Sequence, residues 1–150
     1  MRDIPNWPKW LGFAGLLPQM ALVVVAYWGP ADWHEAARSI GAIYAGLILT
    51  FLGGTWWGIA AGAPAAERRS GLAWVWIAAV LPSLIVFALL IAWTLGLLPL
   101  EPMMVMLGSA LLVALGVDAR LASLSPRWWL RLRVPLSIGL GSATLALALA

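Results

Sequence analysis

The chain has 150 residues, of which 63% are hydrophobic and only 10% charged, and its mean hydropathy is +0.95. One domain of that length cannot hide so much apolar surface from water, which excludes an ordinary soluble globule and points to a membrane protein. The absence of cysteine removes disulfides, a thiolate nucleophile and a cysteine-ligated metal.

Five apolar runs approach the roughly 20 residues that a helix needs to cross about 30 Å of hydrocarbon. The first is expected over Trp10–Trp28. It begins like a signal peptide, after Lys9, but Tyr27-Trp28-Gly29-Pro30 is no small-residue cleavage site and further apolar runs follow. Inside it, Gln19 directly follows Pro18. Proline frees a carbonyl one turn back, and the amide is placed either to satisfy that carbonyl or to meet a ligand. The next loop holds the only histidine, in Asp32-Trp33-His34-Glu35. Adjacent residues share no helix face, so a metal or proton-transfer site is set aside in favour of Asp32 capping the second helix and Glu35 complementing its dipole.

The second span is expected over Ile40–Gly62, with a ridge of small residues four apart: Ala42, Gly46, Thr50, Gly54, Gly58 and Gly62. In lipid, helices associate through close backbone approach, so Gly46, Gly54, Gly58 and Gly62 read as a packing seam. Its expected partner is the fifth span, which offers Ser137, Gly139 and Gly141. The third span, Gly71–Leu95, carries Trp74, Trp76 and Pro82, and the fourth, Leu98–Val117, opens with Glu101 and Pro102. Proline fits the first helical turn, where its missing N–H costs nothing. Met103, Met104 and Met106 read as apolar packing rather than haem ligands. After a loop from Asp118 to Arg133, the fifth span is expected over Val134–Ala150, with Pro135 close to its start.

The basic residues orient this all-α, five-helix transmembrane bundle. With five spans, Arg2, Lys9, Arg68, Arg69, Arg120, Arg127, Arg131 and Arg133 share one side, and only Arg38 lies on the other. Positive residues favour the cytoplasmic face, which predicts a cytoplasmic N-terminus and a periplasmic C-terminus. The net charge of +3 therefore implies anchoring to anionic membrane lipids, with no nucleic acid as partner. The tryptophans fall at span ends: Trp7, Trp10, Trp56, Trp57, Trp74, Trp76, Trp128 and Trp129 on the arginine-rich side, Trp28, Trp33 and Trp93 on the other. That is the aromatic belt of a membrane protein.

No ionisable residue lies near the centre of an expected span, which argues against a proton pump or a carboxylate-coupled transporter. No catalytic residue, metal ligand or cofactor is assigned. The expected contact residues are Gln19 and the rim formed by Trp56, Trp57, Trp74, Trp76, Trp128, Trp129, Arg131 and Arg133, since tryptophan and arginine are enriched at binding hot spots. One reading makes the protein a structural or accessory subunit, meeting other inner-membrane subunits or a second copy through this rim. The alternative makes it a binder or carrier of a hydrophobic ligand, a quinone, porphyrin or lipid, in a tryptophan-rich pocket enclosed by helices bent at proline.

Several segments together carry a family likeness: Gly15-Leu16-Leu17-Pro18, Phe51-Leu52-Gly53-Gly54-Thr55-Trp56-Trp57-Gly58, Leu81-Pro82-Ser83, Asp118-Ala119-Arg120, and Trp128-Trp129-Leu130-Arg131-Leu132-Arg133-Val134-Pro135. The chain resembles the bacterial domain-of-unknown-function family 3429, which includes the mitochondrial transmembrane protein 69. That resemblance implies a small multi-pass protein of the bacterial inner membrane and brings no established activity. Similar members often carry histidine where Trp56 stands, so any imidazole chemistry there is lost in this chain. Five spans and many tryptophans also resemble the architecture of the tryptophan-rich sensory proteins, whose first-loop motif is missing here.

Overall fold

The computed structural model describes residues 4–63 and 72–150 and is helical throughout, with no strand among the described residues. Arg2, Arg68, Arg69 and the expected first residue of the third span, Gly71, lie outside them. The helices are α1 (Asn6–Ala14), α2 (Leu17–Trp28), α3 (His34–Ala61), α4 (Ala73–Thr94), α5 (Leu100–Arg120) and α6 (Trp129–Leu149). Taking α1 and α2 together, five segments among the described residues are long and apolar enough to cross a membrane. The chain is thus a multi-pass, all-α membrane protein by length and composition.

Proline and glycine set several boundaries. Pro18 stands in the first turn of α2, so the first span is broken at Gly15-Leu16 rather than bent in mid-helix. The Tyr44 hydroxyl donates to the Gly15 carbonyl at 2.6 Å across that break, the service expected of Gln19. Gly96, at φ +71°, closes α4 with Leu97 N–H donating to the Ala92 carbonyl at 2.8 Å; a left-handed residue at that point is cheap only for glycine. Pro102 falls in the first turn of α5 as expected. Several helices exceed their expected bounds: the first span starts at Asn6 and α3 at His34, α5 runs on through Asp118 to Arg120, and α6 starts at Trp129, so that Pro135 lies inside it. The short 3₁₀ turn Ala31–Trp33 leads into α3, whose start has no side-chain cap, contrary to the role given Asp32. His34 Nε2 hydrogen-bonds the Gly29 carbonyl at 3.0 Å instead.

Helix α3 is central and touches α2, α4, α5 and α6. Its main partner is α4, not the fifth span; α6 packs chiefly on α5. The seam on α3 also differs from the one expected. Gly46 belongs to it, because an added Cβ would lie 2.9 Å from Val86, but Gly54 and Gly58 face open space, and Gly62 stands just past the helix end. The close approach is made by Gly53, where an added Cβ would collide with the Ala79 carbonyl oxygen and lie 3.3 Å from the Pro82 ring. Geometry explains the shift. Each four-residue step overshoots a full turn by about 40°, so a ridge of five such steps winds roughly 200° around the helix. A single neighbour therefore follows alternating three- and four-residue steps, here Ala42, Ala45, Leu49, Leu52 and Trp56, all buried. In α5 and α6 the corresponding contact is glycine on glycine: a Cβ on Gly108 or Gly141 would lie 3.1 Å from the other's carbonyl oxygen.

Candidate functional site

The seam that buries Leu49 and Leu52 carries Trp56 inward as well. Its indole, 3% exposed, sits in the core rather than in the aromatic belt. A buried indole N–H needs an acceptor. It finds one in Asp118, whose carboxylate is wholly buried near the end of α5: Trp56 Nε1 donates to Oδ1 at 2.9 Å. Trp129 Nε1, at the start of α6, donates to the same oxygen at 3.2 Å. The other oxygen accepts from Arg133 Nε at 3.0 Å, and Arg133 Nη2 donates to Ser137 Oγ at 2.9 Å. The guanidinium carbon also lies 5.9 Å from the centroid of the Trp129 ring. One carboxylate thus gathers donors from α3 and α6 onto α5. With both oxygens engaged by charged or indole donors, the buried pair meets the condition under which such a pair is tolerated.

This cluster was only half legible beforehand. The residue pattern places Trp56, Trp129 and Arg133 at a contact rim, the carboxylate that joins them in a loop, and Ser137 in a helix-packing face. The expected spans end at Val117 and begin at Val134, each one residue short of the charge in question. The available signal was register: Asp118 continues the buried positions Leu107, Leu111 and Ala114, and Arg133 stands one turn before Ser137 on the buried face of α6.

The remaining expected residues do not join this cluster. Trp57 meets Trp76 edge to face, with ring centroids 4.6 Å apart, on an open apolar groove between α3 and α4. Trp74 and Arg131 are exposed, and Trp128 is half-buried against Trp129. Gln19 is fully buried near the middle of the bundle, with Nε2 donating to Thr144 Oγ1 at 3.0 Å and Oε1 unpartnered. Thr144 in turn donates to the Leu140 carbonyl at 2.8 Å. At the opposite end of the bundle, Tyr27 and Arg38 donate to the Ala146 and Ala148 carbonyls, at 2.9 and 3.4 Å, and so satisfy the last turn of α6.

Beside the carboxylate cluster lies a cavity of about 130 Å³. Its wall is formed where the first span is broken: Gly12 and Gly15 bring no side chain, Leu52 and Leu111 close the inner side, and Arg133 and Ser137 are its charged and hydroxyl groups. Leu11 and Phe51, 66% and 65% exposed, flank its mouth on the apolar exterior. A second apolar cleft, of about 200 Å³, lies on the far side of Trp56, between α4 and α5 around Pro82 and Ala114. The cluster therefore stands between two apolar recesses, and only the first has polar groups of consequence in its wall. Among the described residues no group of three potential metal ligands comes together.

No curated protein and no solved structure matches the chain. A family model described as "Protein of unknown function (DUF3429)" matches residues 4–150, essentially the whole chain, and the chain belongs to that family.

Proposed function

We propose that this is a non-catalytic membrane protein that binds a small hydrophobic molecule bearing one polar group in the cavity beside Arg133. The observation that carries the reading is the composition of the wall: apolar side chains from α1, α3, α5 and α6, with a single guanidinium and a single hydroxyl set among them. Binding sites for small molecules have this character, a largely apolar recess with a few fixed polar groups. The paired Asp118–Arg133 unit is held from three helices, so the polar end of the site is preorganised rather than built on a loop. At about 130 Å³ the recess suits a single-ring or chain-like ligand better than a porphyrin, and its described lining holds no tryptophan, unlike the tryptophan-rich pocket expected from the sequence.

Purification from native membranes in mild detergent, followed by mass spectrometry of extracted small molecules, tests the proposal. A compound enriched with the wild-type chain and lost in Leu136→Trp, which fills the recess from α6, supports it. Equal small-molecule profiles for the two proteins refute it.

The accessory-subunit reading draws on a different observation. Gly54 and Gly58 leave an open notch on the exterior of α3, with the exposed Phe51 and Trp57 beside it. Notches of this kind let a second transmembrane helix approach closely. A co-purifying protein, or a second copy, that is lost in Gly54→Leu/Gly58→Leu supports this role; an unchanged set of companions argues against it.

A further inference from the structure

Resting on the binding reading above, we infer that the ligand's polar group is a neutral carbonyl carried on an apolar chain or a single ring, not a carboxylate, phosphate or amine. The unused hydrogen-bonding capacity of the wall decides which ligand chemistry fits. Asp118 offers the cavity no acceptor, since it is wholly buried beneath its three donors and does not line the recess. Arg133, which lines the cavity, uses Nε for Asp118 and Nη2 for Ser137, while Nη1 makes no hydrogen bond among the described residues. The Ser137 hydroxyl accepts from Arg133 and donates to no described group. The unused capacity of the wall's polar side chains is thus weighted towards donors, the free guanidinium protons and the Ser137 O–H against one spare Ser137 lone pair, which favours a ligand that accepts.

Charge then separates acceptors from one another. The Arg133 charge is already balanced by Asp118 3.0 Å away, so an anion entering the recess would lose its hydration without meeting net positive charge. The other nearby basic residues do not alter this: Lys9, Arg120, Arg127 and Arg131 are exposed, and none lines the cavity. A neutral carbonyl oxygen suffers no such penalty and takes the spare guanidinium or hydroxyl proton. Size sets the rest. A recess of about 130 Å³ is close to the roughly 150 Å³ of an engineered protein cavity that holds benzene, so one six-membered ring or a few methylenes fit, with the tail leaving past Leu11 and Phe51. Two sources share this chemistry: the head of a single-ring quinone and the ester carbonyl of a glycerolipid.

Four probes with similar tails separate the possibilities: decylbenzoquinone, methyl decanoate, sodium decanoate at pH 8, and undecane. Each is brought to equilibrium dialysis with the full chain in dodecyl maltoside, a detergent without a carbonyl. Site-specific binding is the difference between wild type and Leu136→Trp, once circular dichroism has shown both to be folded. The two neutral carbonyl compounds are expected to bind roughly three- to tenfold more tightly than undecane, the value of one such hydrogen bond, and more tightly than decanoate. Ser137→Ala is expected to reduce that preference while leaving undecane unchanged. A lead of the quinone over the ester assigns the ring, and the reverse assigns the lipid ester; the inference stands in both cases. Decanoate binding more tightly than its methyl ester, or undecane matching the carbonyl compounds, overturns the neutral-carbonyl inference and leaves the pocket standing. Absence of site-specific binding for all four probes overturns the pocket reading together with it.

Discussion

Replacing Asp118 with leucine should be among the most damaging single changes in the described part of the chain. The substitution removes the acceptor for three donors at once: Arg133 Nε, Trp56 Nε1 and Trp129 Nε1. Breaking a buried ion pair from one side costs about 3–5 kcal/mol, because the surviving charge stays behind without a partner. The stranded Trp56 N–H would by itself cost about 1–3 kcal/mol. These terms do not add, since one relaxation serves both, and Arg133 lies within two turns of its helix end and can shift its head outward along its stem. A net loss of about 3–5 kcal/mol follows, against a total stability on the order of 5–15 kcal/mol. The double variant Asp118→Leu/Arg133→Met removes both charges and should recover at least about 1 kcal/mol of that loss. Unfolding in mixed micelles of increasing denaturing-detergent fraction, followed by circular dichroism, measures all four corners of the cycle. A single variant within about 0.5 kcal/mol of wild type, the range of an ordinary surface change, would refute the assignment of Asp118 as the centre of the cluster. So would a double variant that merely sums the two single losses.

Three further outcomes follow from the packing and the charge pattern. Gly53→Ala should lose about 1–3 kcal/mol through overpacking against α4, whereas Gly54→Ala, which meets nothing within 4 Å, should be neutral or gain up to about 1 kcal/mol from helix propensity; equal effects in the same unfolding assay would place the α3–α4 seam elsewhere. Thr144→Ala should cost about 1–2 kcal/mol by leaving the Gln19 amide wholly unpartnered, and Gln19→Met in that background should restore most of it, because it removes the stranded amide at similar volume; a further loss would mean that Gln19 has another role. Reporters placed after Ala150 and within the α5–α6 loop at Arg127 should read opposite sides of the membrane, with Arg127 cytoplasmic; the same side for both would defeat the five-span topology.

The amino-acid sequence alone settles that the chain is a five-span helical membrane protein, because that property depends only on the length of apolar runs and on the need of every backbone group in hydrocarbon for an internal partner. It determined the entry of α5 at Pro102 for an equally local reason: proline's missing N–H is harmless only in a first turn. What it left open depends on how far each helix turns about its own axis and on where each meets its neighbours. The ridge through Gly46, Gly54 and Gly58 looks continuous in sequence, yet a small angular drift accumulated along α3 leaves Gly46 in the core, carries Gly54 and Gly58 to the exterior and brings Gly53 against α4. That same rotation takes Trp56 out of the belt and points it at a carboxylate 62 positions away. Asp118 and Arg133 stood where apolar runs stop, and hydropathy alone treats a charge as the end of a span; only the packing of α5 on α6 supplies each with its counter-charge and so allows both helices to continue through them. The recess beside them is likewise a tertiary property. It exists because a broken first span, two glycines and the α6 face come together around a space that none of them encloses alone.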